Sequence, residues 1–161
     1  MLKSKHLIGL EHFPVSDLNK IIDTSFKFKD ILQTESRKAI LLKGKTIVNM
    51  FFENSTRTKI SFSLAEKRLG ADSINFSAST SSVKKGETLK DTVQNIESMK
   101  IDGAVIRHGH PGSALKLTEY IDGAVINAGD GSHEHPTQAI LDIVTLKEKF
   151  GKIKGLKVGI V

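Results

Sequence analysis

Four short stretches of this sequence carry side chains able to hold an anion. The first, Phe51-Phe-Glu-Asn-Ser-Thr-Arg-Thr58, leaves an apolar strand pattern and enters a helical one. Ser55, Thr56 and Thr58 offer hydroxyls, Arg57 adds a guanidinium, and a helix start exposes backbone N–H groups without intrahelical partners. That combination cradles a phosphate. The same residues would also serve as an ordinary helix cap, for which one Ser suffices. The second, Ser79-Thr-Ser-Ser-Val-Lys-Lys-Gly-Glu-Thr88, gathers small hydroxyls and two Lys around a Gly. It suits an anion-binding loop and equally a solvated one. The third, Val105-Ile-Arg-His-Gly-His-Pro111, puts Arg107 where an apolar strand ends, a position for a ligand or a structural ion pair. The fourth, Asn127-Ala-Gly-Asp-Gly-Ser-His-Glu-His-Pro-Thr-Gln138, sets His135 and Gln138 three residues apart at the start of a helical pattern, able to share one face.

Other chemistries find less support. The pairs His108/His110 and His133/His135 raise the question of a metal, but no HExxH spacing and no Cys accompany them, so no metal is expected. The Gly-rich nucleotide loops GxxxxGK[ST] and GxGxxG are absent, as is the GxSxG elbow of a Ser nucleophile.

The elements that must position these stretches follow from periodicity. Val/Ile-rich runs bounded by Gly, Asp or Asn predict strands over 45–52, 72–76, 103–107, 123–127 and 156–161. Helical spacing predicts helices over 16–34, 56–69, 88–99, 112–118 and 137–150, with Ser16 as a cap on the first and Gly70 as the stop of the second. This alternation predicts an α/β fold: a parallel sheet of about four strands, flanked by helices on both faces. In such sheets ligands bind beyond the carboxyl ends of the strands, where all four clusters fall. The run Gly155-Leu-Lys-Val-Gly-Ile-Val161 reads as an opening strand, and predicts that a further domain follows.

Composition narrows the partners. The chain has 161 residues, 39% apolar and 26% charged, no Cys, and a net charge of +6. It is large enough for one packed domain. The absence of Cys excludes disulfides, Cys-bound metals and thiol catalysis. The longest apolar run, Ala39-Ile-Leu-Leu42, is far too short to span a bilayer. The basic excess favours anionic partners. With no Trp and one Tyr, base stacking has little to work with, so small phosphorylated or carboxylated molecules are expected rather than nucleic acid.

Ser55-Thr-Arg-Thr58 after Phe-Phe-Glu, and His135-Pro-Thr-Gln138 after Asn-Ala-Gly-Asp-Gly, with Ser81-Ser-Val-Lys-Lys-Gly-Glu-Thr88 and Arg107-His108 between them, resemble the aspartate/ornithine carbamoyltransferase family. The Lys-Lys-Gly-Glu-Thr loop and the Gly-Asp-Gly turn resemble its aspartate branch. The resemblance covers the chain but only the first half of a family member. It implies that residues 1–150 are a carbamoyl-phosphate-binding domain, and that 151–161 are a linker and the first strand of an amino-acid-binding domain cut short. Ser55, Thr56, Arg57 and Thr58 are implied to grip the phosphate of carbamoyl phosphate. Thr58, Arg107 and His135 would donate to its carbonyl oxygen, and Gln138 would read its amino group. Arg57, Thr58, Arg107 and His135 are the implied catalytic set. Ser81 and Lys85 would reach into a neighbouring subunit's site, and Glu53 would pair with Arg107 before ligand binds.

The implied reaction is carbamoyl transfer to L-aspartate in cytoplasmic pyrimidine biosynthesis, by a homotrimer that leaves room for regulatory chains, without cofactor or metal. Without the amino-acid-binding half this chain is expected to be inactive. Ornithine as the acceptor, or a non-catalytic phosphate-binding or assembly module, are the alternatives.

Overall fold

The computed structural model describes residues 2–77 and 88–159. Alternating patterns become alternating elements: α1 (Val15–Leu32), β1 (Thr46–Phe51), α2 (Thr56–Leu69), β2 (Asp72–Ser77), α3 (Leu89–Glu97), β3 (Gly103–His108), α4 (Ser113–Leu117), β4 (Ala124–Asp130) and α5 (Pro136–Phe150). The four strands form one sheet in the order β2-β1-β3-β4, every pair parallel. A parallel sheet is covered on both faces, which is why its central strands read as unbroken apolar runs. Successive side chains alternate between two cores. Val48, Met50, Ala104, Ile106 and Val125 pack with Val93 and Ile96 of α3 and Ala114 and Leu117 of α4. On the other face Phe51, Val105 and Ala128 pack with Phe62 of α2. Helices α2 and α5 share that face, and α1 lies on α5, tied by Lys147 to Asp23 at 3.1 Å and by Lys29 to Glu148.

The α/β architecture and the first four strands are as the sequence predicts. The ends differ where local hydrogen bonding decides. Helix α1 starts at Val15 with Pro14 at the cap position, whose carbonyl accepts the Asp17 and Leu18 amides, so Ser16 caps nothing. Asp17 is instead fully buried and accepts the Lys3 and Ser4 amides at 2.6 and 2.8 Å. Gly70 does end α2, at φ +83°, with Ile40 Cγ2 only 3.0 Å from where a Cβ would stand. Residues 156–159 form no strand, because no described strand offers their N–H and C=O groups a ladder. Residues 160–161 lie outside the described residues.

Residues 6–8 run along the outer edge of β4: the Leu7 amide donates to Val125 O at 2.9 Å, and Leu7 O accepts the Asn127 amide at 2.8 Å. This covers an edge strand that would otherwise present unpaired backbone groups.

Candidate functional site

The carboxyl ends of β1, β3 and β4 deliver three of the four polar stretches to one end of the sheet. Beyond β1, Ser55 takes the cap position of α2 with extended backbone and makes no side-chain cap bond. Its hydroxyl donates to Thr58 Oγ1 at 2.8 Å, so the first-turn amides of α2 remain uncapped by any side chain. Such amides, at the positive end of a helix dipole, are suited to an anion.

At the carboxyl end of β3, the Arg107 side chain is 20% exposed. Its Nη1 donates to Ala128 O at 3.1 Å. Its Nε lies 3.5 Å from Glu53 Oε2, an ion pair too poorly aimed to be a hydrogen bond, so that buried N–H has no acceptor. A guanidinium so placed retains a donor for a ligand.

At the carboxyl end of β4, Gly129 sits at φ +116°. A Cβ there would stand 2.8 Å from Arg107 Nη1 and 3.4 Å from His135 Cδ2. Arg107 and His135 therefore flank one stretch of bare backbone, and only Gly leaves room for both. His135 occupies the cap position of α5, fixed by Pro136 in the first turn, with Nδ1 3.3 Å from Thr137 Oγ1. Burial pushes its imidazole below the ordinary histidine value, and the nearby charge of Arg107 pushes the same way, so the ring is neutral at neutral pH.

Thr58, His135 and Gln138 line a single cleft of about 290 Å³ between α2 and α5. Glu53, Ser55, Thr56 and Lys59 line a second, of about 330 Å³. Arg57 is exposed on the first turn of α2, forms no ion pair among the described residues, and lines neither cleft. Gln138 turns its Nε2 to Asp142 Oδ1 at 3.0 Å. The structure thus joins Ser55 to Thr58, Thr58 to His135 and Gln138, and Arg107 to His135; it does not bring Arg57 to the cleft. Ser81 and Lys85 lie outside the described residues.

The histidine pairs have other partners. His108 Nδ1 accepts the His110 amide at 2.9 Å and lies 3.0 Å from Ser113 Oγ, its ring 5.2 Å from that of Phe52. His133 Nδ1 lies 3.2 Å from Asp130 Oδ2. Asp130, 1% exposed, is the residue the sequence reading missed. Its carboxylate accepts Asn127 Nδ2 and the Gly112 and Glu134 amides at 2.9 to 3.1 Å. Burial pushes this carboxyl up, but these bonds and His133 outweigh burial and hold it below the usual carboxylate range. Asp130 fixes the turn that carries His135. The signal in the sequence was Asn127 three residues before Asp130, itself between Gly129 and Gly131, which read only as a turn.

Comparisons with known proteins place the chain among relatives. Residues 5–148 match the family model described as aspartate/ornithine carbamoyltransferase, carbamoyl-P binding domain. The chain is 53% identical over 160 residues to the aspartate carbamoyltransferase catalytic subunit of Christiangramia forsetii, covering 99% of this chain and 52% of that relative. It is 52% identical to the corresponding subunit of Flavobacterium johnsoniae, with the same coverage. Among solved structures, Trypanosoma cruzi aspartate transcarbamoylase with aspartate and phosphate superposes at TM-score 0.88 and 34% identity, over 96% of this chain and 50% of that one. The M. jannaschii catalytic subunit superposes at 0.86 and 41% identity, over 95% and 50%. The chain spans about half the length of the curated relatives it matches.

Proposed function

This chain belongs to the aspartate/ornithine carbamoyltransferase family, and on that premise we propose that it binds carbamoyl phosphate for transfer of the carbamoyl group to the amino group of L-aspartate. The observation that carries the reading is the meeting of Arg107 and His135 across Gly129, beside the cleft His135 shares with Thr58 and Gln138. Aspartate as the acceptor is supported by the relatives, which are aspartate carbamoyltransferases. Products are N-carbamoyl-L-aspartate and phosphate, a reaction of cytoplasmic pyrimidine biosynthesis.

The residues suit the charges this reaction develops. The amine attacks the carbonyl carbon, negative charge grows on the carbonyl oxygen, and the C–O bond to phosphate breaks as the departing phosphate takes up the amine's proton. The phosphate lies on the uncapped first turn of α2, with the Ser55, Thr56 and Thr58 hydroxyls and the Arg57 guanidinium around it. For this, the exposed Arg57 swings in from solvent. The carbonyl oxygen takes hydrogen bonds from Thr58, Arg107 and His135, whose neutral ring still donates from one nitrogen. Losing one such donor costs about 3 kcal/mol of barrier. Arg107 exchanges its long contact with Glu53 for the ligand. Gln138 leaves Asp142 to meet the carbamoyl NH₂. Holding donor and acceptor in register supplies much of the remaining acceleration.

Residues 1–150 are the donor-binding unit in this reading, and residues 151–161 lead toward an acceptor-binding domain; relatives twice as long support this. Ser81 and Lys85 complete the site of a neighbouring subunit in a homotrimer, an assignment supported by the family motif they stand in. The relatives' designation as catalytic subunits supports regulatory chains as further partners. Calorimetric titration of the 161-residue chain with carbamoyl phosphate tests the site. The chain binds without turnover, and Arg57→Ala or Thr58→Ala weakens binding about tenfold or more, the loss of one charge-assisted bond. Affinity unchanged in both variants contradicts the assignment.

A further inference from the structure

The sheet-facing side of α2 carries a carboxyl group for which carbamoyl transfer has no use. Glu66 is 6% exposed. Its Oε2 accepts Asn49 Nδ2 at 2.8 Å and the hydroxyl of Ser73. Asn49 on β1 is fully buried, and Ser73 is on β2, so the cluster links the helix to two strands. Two of its oxygens, Glu66 Oε1 and Asn49 Oδ1, are buried and have no hydrogen-bond partner. An ionised Glu66 is acceptor-only, and neither oxygen could then be satisfied from within the cluster. One proton on Oε1 changes this. A carboxylic acid and an amide can close two parallel hydrogen bonds, here Asn49 Nδ2–H to Oε2 and Oε1–H to Asn49 Oδ1.

We propose that Glu66 is held as the neutral acid, donating to Asn49 Oδ1, and that this acid–amide pair with Ser73 is a positioning device that sets α2 on the sheet and with it the Ser55–Thr58 turn. The effect on the turn rests on the carbamoyl phosphate reading; the protonation of Glu66 does not.

The surrounding charges leave the acid neutral. One turn away on α2 stand Phe62, Ser63, Leu69 and Gly70, and Lys59 is two turns away, about 10 Å along the axis. Strand β1 has no charged residue. Asp72, the charged residue of β2, adjoins Ser73 and so projects from the opposite face. Lys67 on α2, and Arg37, Lys38 and Lys43 before β1, are exposed; Arg68, two residues on, points to another side of the helix. Glu66 forms no ion pair among the described residues. It also stands in the last turn of α2, where the helix dipole disfavours an anion. Burial pushes the carboxyl up, against the opposing bonds from Ser73 and Asn49. A group raised in the folded state adds stability at low pH that is lost as pH rises through its folded value.

The test is carbon-13 NMR of the 161-residue chain labelled at Glu Cδ, with Glu66 identified by the resonance missing in Glu66→Gln. The proposal expects that resonance to be protonated near pH 7 and to titrate above the ordinary Glu range. It expects Glu66→Gln, whose amide reproduces both hydrogen bonds, to keep Tm at low pH and to remove the decline that sets in as pH rises above the ordinary Glu value of about 4.3. Glu66→Ala, leaving Asn49 only its 3.4 Å bond to Ser73 Oγ, should weaken carbamoyl phosphate binding about tenfold, and Glu66→Gln should restore it. Titration in the ordinary range, or a Gln variant as destabilised as the Ala variant, overturns the neutral acid. An Ala variant that binds as wild type, where Arg57→Ala does not, overturns the positioning role. If Arg57→Ala itself binds unchanged, the phosphate site is misassigned, while resonance and Tm still decide the state of Glu66.

Discussion

At the scale of single residues, the site depends on an absence of side chain as much as on the groups that would touch ligand. Gly129 combines φ +116° with two close neighbours, Arg107 and His135. Gly129→Ala both strains the backbone and pushes Arg107 Nη1 away. The expected outcome is a loss of carbamoyl phosphate affinity of about tenfold or more by calorimetry, with a fold that survives by circular dichroism. Motif residues such as Thr58 and His135 were legible in the sequence because hydroxyls and imidazoles stand out against apolar strands. Asp17, Asn49, Glu66 and Asp130 were not, because polar residues ordinarily indicate surface. Only the fold reveals that all four are buried and, apart from single oxygens on the first three, hydrogen-bonded. The orientation of Arg57 was also illegible: a motif places a residue at a helix start without fixing where a long side chain points.

At the scale of elements, strands were easier to read than helix ends. A buried parallel strand announces itself as a short Val/Ile run, so β1, β2 and β3 were recoverable to within a residue and β4 to within three. The start of α1 was decided by a proline carbonyl rather than by the nearby Ser16, a choice that composition does not encode. The edge cover by residues 6–8 pairs positions some 119 apart in the chain, beyond any local pattern. Helix α3 shows the opposite case, a start written locally. The Thr88 hydroxyl accepts the Asp91 amide, and the Asp91 carboxylate accepts the Thr88 amide. Thr88→Ala breaks this reciprocal cap and should lower Tm by about 2–4 °C in a thermal melt. An unchanged Tm would mean that α3 is held by Val93 and Ile96 in the core alone.

At the scale of the whole molecule, titrating groups give folding a direction in pH. Burial lowers His6, His108 and His135, aided by Lys5 at His6, by Arg107 at His135, and at His108 by His110 against an opposing pull from Glu53. Each is neutral in the fold and charges more readily when unfolded, so stability is complete above the ordinary histidine value of about 6.5 and falls as pH drops below it. A second loss follows at lower pH, as Asp17, Asp102 and Asp130, all held below the usual carboxylate value, take up protons. In the Glu66→Gln variant, which lacks the opposing titration of Glu66, Tm should therefore fall between about pH 7 and 5 and again below about pH 4. A Tm that rises on acidification to pH 5 would contradict the buried state of these imidazoles.

On the proposed function, the ends of β1, β3 and β4 converge on one carbamoyl phosphate. The structure of the 161-residue chain crystallised with carbamoyl phosphate tests this most directly. The expected result has the phosphate on the first-turn amides of α2 with Arg57 turned toward it, the carbonyl oxygen within hydrogen-bond reach of Thr58, Arg107 and His135, and Glu53 displaced from Arg107. A ligand bound elsewhere, or a Glu53–Arg107 pair left intact beside it, would contradict the claim.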